Sequence, residues 1–372
     1  MSKLPFEGDC SKKMSSLQND YRQALDTGQN KQLSEGRRMH MSIVPMSLLD
    51  NVRLSNGSEY LKNYYSDLLR TNRSKALELI NDQDIHFSTA YLLRPLLKQR
   101  SALDELNPLY QKAFEISEAL SGKLSGQASL KAESQMRSAG ECIVPALRWI
   151  VSTAEPEEGM DGKYEQLIDR CAAVLVRSLA NTAMLPELAS LIFARNRRGA
   201  LIHELVWAFF EARSPESLVL LIQRLSSPHS ADVKLAKNLL CFIPGISGNT
   251  LHSGSSLARF AFYWLQENRP FLYFTGESLH LCNKPMHYDV CKSARYLCRP
   301  VSVDSGKPLM RLNDDEEKLL AAFEKLPYNS QCYLADFSWQ LYIRNVYQWR
   351  TWLVLPINEQ AALAARWMGG FA

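Results

Sequence analysis

The chain has 372 residues, of which 46% are hydrophobic and 22% charged, with 43 basic against 39 acidic side chains. That composition excludes a disordered or fibrous chain, and a net charge of +4 is too near neutral to make the whole molecule a nucleic-acid binder. No stretch supplies the roughly 20 uninterrupted apolar residues a membrane span needs, since the richest, Leu201 to Phe210, is broken by His203 and Glu204.

The N-terminus carries Lys3, Glu7, Asp9, Lys12 and Lys13 without an apolar core, which is not the pattern of a secretory signal. The eight cysteines are scattered, several among Leu, Ile and Ala, as small apolar residues would be. A reducing compartment, the cytoplasm, is the expectation.

Residues 1–55 are rich in Gly, Ser, Asn, Gln and Lys, and read as a flexible arm. Leu17, Tyr21 and Leu25 would share one face of a short helix there. A first helical region spans 56–152. Tyr60, Leu61, Tyr64, Tyr65, Leu68 and Leu69 form an apolar stripe, with further helices over Ala76–Ile80, Phe87–Leu97, Leu109–Leu120 and Ala132–Val151. Gly122, Ser125 and Gly126 mark a linker between the last two, and the polar stretch Thr153–Gly162 is a loop.

Between 163 and 269 the helical spacing is clearest. Leu167, Ile168, Cys171, Val174, Leu175 and Leu179 share a face, Pro186 suits the first turn of the next helix, and Gly199 suits its end. Ser214-Pro215 and Ser227-Pro228 repeat one start signal, a capping serine followed by a first-turn proline. Leu257–Gln266 makes a further helix. Helices of about 11–15 residues joined by short turns must lie antiparallel. This alternation resembles HEAT-like helical repeats, an α-solenoid. The resemblance implies a partner-binding surface in many such proteins and nucleic-acid binding, as in some DNA-repair enzymes, in others.

The region 270–372 changes texture. Phe271-Leu272-Tyr273-Phe274 has β character, so a short extended segment is expected near 271–275. A helix is expected from Tyr288 to Leu297, and Asn313 caps a helix opening on Asp314, Asp315, Glu316 and Glu317. Trp339, Tyr342, Tyr347, Trp349 and Trp352 crowd into a closing helix pair. The fold class expected is therefore mostly all-α, built of stacked antiparallel helical hairpins.

His280, Cys282, His287 and Cys291 supply the donors that zinc prefers. If a helix reaches back to His287, then His287 and Cys291 stand one turn apart, and zinc is the cofactor that set would hold. His203-Glu204 is not a zinc-protease motif, because Trp207 stands where the second histidine is needed. No phosphate-binding glycine loop or nucleophile elbow is present. Arg195, Arg197 and Arg198 are the densest basic run, suited either to a helix C-terminus or to an acidic partner. The interval 231–300 is basic, with Tyr263, Trp264, Tyr273 and Tyr296 interleaved. These features favour a non-enzymatic scaffold that binds another protein or assembles with itself, through Arg195, Arg197, Arg198, Trp264, Trp349 and Trp352. A nucleic-acid-binding repeat protein and a metal-containing enzyme are the alternatives.

Overall fold

A computed structural model describes residues 46–121, 140–157, 159–247 and 254–369. The first helix, α1 (Leu48–Asn56), opens on a reciprocal capping box in which the Ser47 hydroxyl takes the Asp50 N–H and the Asp50 carboxylate takes the Ser47 N–H. Leu49 is fully buried. The flexible arm expected to 55 is thus corrected over its last eight residues: a nine-residue helix with its own cap was averaged away by the polar composition around it. The expected helix around Leu17, Tyr21 and Leu25 lies outside the described residues.

Next come α2 (Ser58–Thr71), α3 (Arg73–Ile80), α4 (Phe87–Gln99), α5 (Pro108–Ser121) and α6 (Val144–Ser152). In α2 the buried face is Leu61, Tyr65 and Leu69, while Tyr60 turns to solvent. The loop after α6 leads to α7 (Gly162–Ala173), which is extended by one π-helical stretch, Val174–Ser178. Helix α8 (Leu185–Arg198) has a proline in its first turn and stops at Gly199, whose φ of 73° is left-handed and closes the helix end.

The array continues through α9 (His203–Glu211), α10 (Leu218–Arg224), α11 (Ser230–Leu239) and α12 (Gly254–Asn268). The two Ser-Pro signals mark starts without capping them. Ser214 bonds the Glu216 carboxylate, and Pro215 opens a single 3-10 turn ahead of α10. Ser227 donates to Asp232, and Pro228 lies two residues before α11. Helix α12 begins so close to the end of α10 that a Cβ on Gly254 would lie 2.6 Å from the Leu225 carbonyl oxygen.

One cluster of buried apolar side chains runs from Leu49 to Tyr288. Its packed helix pairs are near neighbours in sequence: α5 with α6 and α7, α7 with α9, α8 with α9 and α11, and α10 with α11 and α12. No helix among the described residues is long and apolar enough to cross a membrane.

After α12 the chain forms a ribbon. Strand β1 (Leu272–Phe274) pairs antiparallel with β2 (Tyr288–Val290), with Leu272 opposite Val290 and Phe274 opposite Tyr288. The expected extended segment is present, but the expected helix over Tyr288–Leu297 is corrected. The buried backbone of 272–274 needs a partner for its polar groups, residues 288–290 provide it, and only Lys292–Tyr296 remains helical, as α13.

The helix expected after Asn313 is present as α14 (Asp314–Glu324), and three helices rather than the expected pair follow it: α15 (Tyr328–Arg344), α16 (Val346–Leu353) and α17 (Ile357–Gly369). With Tyr296 and Leu297 they build a second, smaller core around Phe323, Leu334, Ala335, Trp352 and Ala364. A bridge of Phe271, Ala294 and Val301, with Trp339 against Phe271, joins ribbon and helices.

Candidate functional site

The last turn of α8 faces α7 and the 153–157 loop, and this decides what its arginines can do. Arg195 is wholly buried; its Nη2 lies 2.8 Å from Glu157 Oε1, and its Nη1 donates to Asp169. Burial outweighs the pull of Arg195 on Asp169 and lifts that carboxyl to about 6. For Arg195 itself burial acts downward, but the Glu157 hydrogen bond and the charge of Asp169 leave it raised. Arg195 is therefore corrected from a partner contact to an internal charge. Arg197 pairs with the buried Asp232 at 3.0 Å, and Arg198 with Glu155 and Glu157. All three arginines are engaged within the chain.

The four expected zinc ligands do not converge. Extended backbone separates His287 from Cys291 by roughly 13 Å along the chain, where one helical turn would have aligned them. His287 is buried with its ring stacked on Phe210, centroids 3.5 Å apart, and its Nδ1 is 3.0 Å from the Glu277 carbonyl oxygen. Burial holds its imidazole down at about 4. His280 lies at the surface, 3.6 Å from Glu204. The exposed Cys282 faces Glu277, and Cys291 lies 3.3 Å from the Ser293 hydroxyl. Among the described residues no three His, Cys, Asp or Glu side chains are arranged to hold a metal ion.

The tryptophans separate by role. Trp352 is buried against Tyr296 and Phe337, so it is corrected from a surface contact to a core residue. Trp349 is half-buried, with Nε1 donating to Ser338 at 2.8 Å. Trp264 is half-buried beside Phe242. The large apolar side chains that the C-terminal helices leave outside are tyrosine and aliphatic: Tyr347 is 81% exposed, Val354 80% and Tyr328 65%, with Tyr333 and Leu363 also exposed. These helices bury little. Only Leu334, Ala335 and Ser338 of the 17 residues of α15 are buried, so most of its apolar side chains stay half-covered.

Between the ribbon and α14–α15 lies an open cleft of about 420 Å³. Tyr273 donates to Asp289 at 3.3 Å on one wall. On the other, the Lys292 ammonium sits 4.4 Å from the Tyr328 ring centre, and Glu324 at the end of α14 also lines the cleft. Burial pulls the Lys292 ammonium down, yet its contact with Tyr328 and the nearby Asp289 leave it raised overall. The sequence pointed to none of Asp289, Lys292, Glu324 and Tyr328, because the ribbon and α14 that bring them together are separated by the 23 residues 291–313, α13 among them. Their one local signal was the pairing of charge with aromatics around 288–296. The chain matches no protein-family profile, no curated relative and no solved structure.

Proposed function

We propose that this chain is a non-catalytic interaction scaffold, a HEAT-like stack of helices whose C-terminal helices dock another protein. The observation that carries the reading is the thin C-terminal core: α14–α17 hold Tyr328, Tyr333, Tyr347, Val354 and Leu363 exposed over a layer of half-covered apolar side chains. Apolar groups left this accessible gain about 25 cal/mol per Å² when a partner removes them from water. Tyrosine is also among the residues that dominate binding hot spots. The repeat-like frame is supported by the near-neighbour pairing of α5–α12.

The test is affinity purification of the tagged full-length protein from its host, with bound proteins quantified by mass spectrometry. Wild type is compared with a Tyr347→Ser/Val354→Ser double variant and with Leu201→Ser, a control at the exposed turn before α9. A protein retained by wild type and the control, and lost at least tenfold by the double variant, is the expected result. Retention by all three, or by none, would overturn the reading.

A further inference from the structure

We propose that Cys282 is an oxidation site whose product is captured by Cys241, so that a peroxide closes a reversible disulfide between the loop of the ribbon and the end of α11. Cys241 stands two residues past α11, and its thiol donates to the Pro285 carbonyl oxygen at 3.4 Å. Cys282 reaches the next N–H along: its sulfur lies 4.0 Å from Glu277 Oε2, and that oxygen takes the Met286 N–H at 2.7 Å. The two sulfurs are thus gathered at opposite ends of one peptide unit, Pro285–Met286, close enough for a charge on Cys282 to bear on Cys241.

The chain between them can close the gap. Residues 280–284 are all exposed, while Pro285 is buried with its carbonyl on Cys241. The exposed arc is held by a single turn, in which the Leu281 and Cys282 N–H groups share the Ser278 carbonyl oxygen. A disulfide needs Cα atoms roughly 4.4–6.8 Å apart. Three residues of chain, the separation of Cys282 from Pro285, carry a Cα through up to about 10 Å.

Exposure sets the order of events. Cys282 is exposed and Cys241 half-buried, and burial holds the Cys241 thiol up against the pull of Lys284. Cys282 therefore meets the oxidant first. Its sulfur attacks one oxygen of hydrogen peroxide, the O–O bond breaks, and the thiol proton passes by way of Glu277 to the departing oxygen, leaving a sulfenic acid and water. The Cys241 sulfur then attacks the Cys282 sulfur. The S–O bond breaks, the S–S bond forms, and the Cys241 proton leaves with the hydroxide as a second water. The two thiols lose two electrons and the peroxide gains them.

The experiment treats reduced full-length protein with hydrogen peroxide at neutral pH, blocks the remaining thiols, and maps the cysteines by mass spectrometry without reduction. The expected result is one linked pair of peptides, Cys241 with Cys282, lighter by the two lost hydrogens and released by dithiothreitol. Dimedone, which traps sulfenic acid, is expected to label Cys282 about fivefold more in Cys241→Ser than in wild type, because the capture step is gone. Cys282→Ser is expected to leave Cys241 reduced. The linked pair is read in the unaltered protein, so the test holds even where a variant fails to fold. Cys142, also exposed, is the control for exposure alone. Linkage of Cys282 to Cys142 or another cysteine in place of Cys241, oxidation of Cys282 to the sulfinic acid with no link, or equal dimedone labelling with and without Cys241 overturns the inference.

Discussion

His287 is buried and the Asp169 side chain largely so, and burial favours the neutral form of each, so their proton linkages oppose one another across one pH window. The folded protein holds the Asp169 carboxyl at about 6 against an ordinary 3.8, so it binds that proton more tightly than the unfolded chain. The stability this adds is full below about 4 and is lost as pH rises through 6. His287 sits at about 4 against 6.5, so its contribution is full above 6.5 and is lost as pH falls through 4. Each effect is on the order of 1–3 kcal/mol, large enough to tilt a melting curve. In thermal melts at pH 4 to 6.5, Asp169→Asn is expected to make Tm climb more steeply with pH than wild type. His287→Phe, which keeps the stack on Phe210, is expected to flatten or reverse that climb. Identical slopes in all three proteins would remove both assignments. The same residues mark what one dimension conceals: Arg195 and His287 have the composition of a binding site, and only the fold reveals that Glu157 and Phe210 already occupy them.

Elements whose cause is local were legible, and those whose cause is distant were not. Asn313 followed by four acids states a helix start completely, and the structure holds the full capping box, with Asn313 accepting from Asp315 and Glu316 and the Glu316 carboxylate taking the Asn313 N–H. Asn313→Ala is expected to cost about 1 kcal/mol in urea unfolding, because two N–H groups at the helix end lose their acceptor. A change under a few tenths would show that the box is dispensable. The Ser-Pro signals were equally local but ambiguous, since a serine that can cap can also bond the carboxylate two or five residues on, as Ser214 and Ser227 do. Gly254 could not be read at all: its need for no side chain comes from the Leu225 carbonyl, 29 residues earlier. The strand at Tyr288–Val290 is similar. Its residues alone permit helix, and the decision belongs to the unpaired backbone of 272–274. The cleft inherits that illegibility, because it exists only once the ribbon has formed.

At the scale of the whole molecule, the division between two cores decides how the chain opens. The main core runs to Tyr288, the second gathers Tyr296 through Ala364, and the bridge between them is narrow: Phe271, Ala294 and Val301, the edge-on contact of Trp339 with Phe271, and Arg295 reaching Asn268 and Asp336. Few fully buried side chains hold α14–α17, so their hydrogen bonds open at lower free energy than those of α7–α12, where burial is dense. Native-state hydrogen exchange is therefore expected to show amides of 314–369 exchanging through a sub-global opening that leaves α7–α12 protected. Trp339→Ala, by cutting the bridge, should speed exchange in the C-terminal helices several-fold and leave the main core near its wild-type rates. A partner seated on the C-terminal face would act in the opposite sense, raising protection there first, because only the closed state offers the assembled surface. Uniform protection from α1 to α17, or acceleration of α7–α12 by Trp339→Ala, would mean that the two cores unfold as one and that the exposed aromatic face belongs to a rigid body.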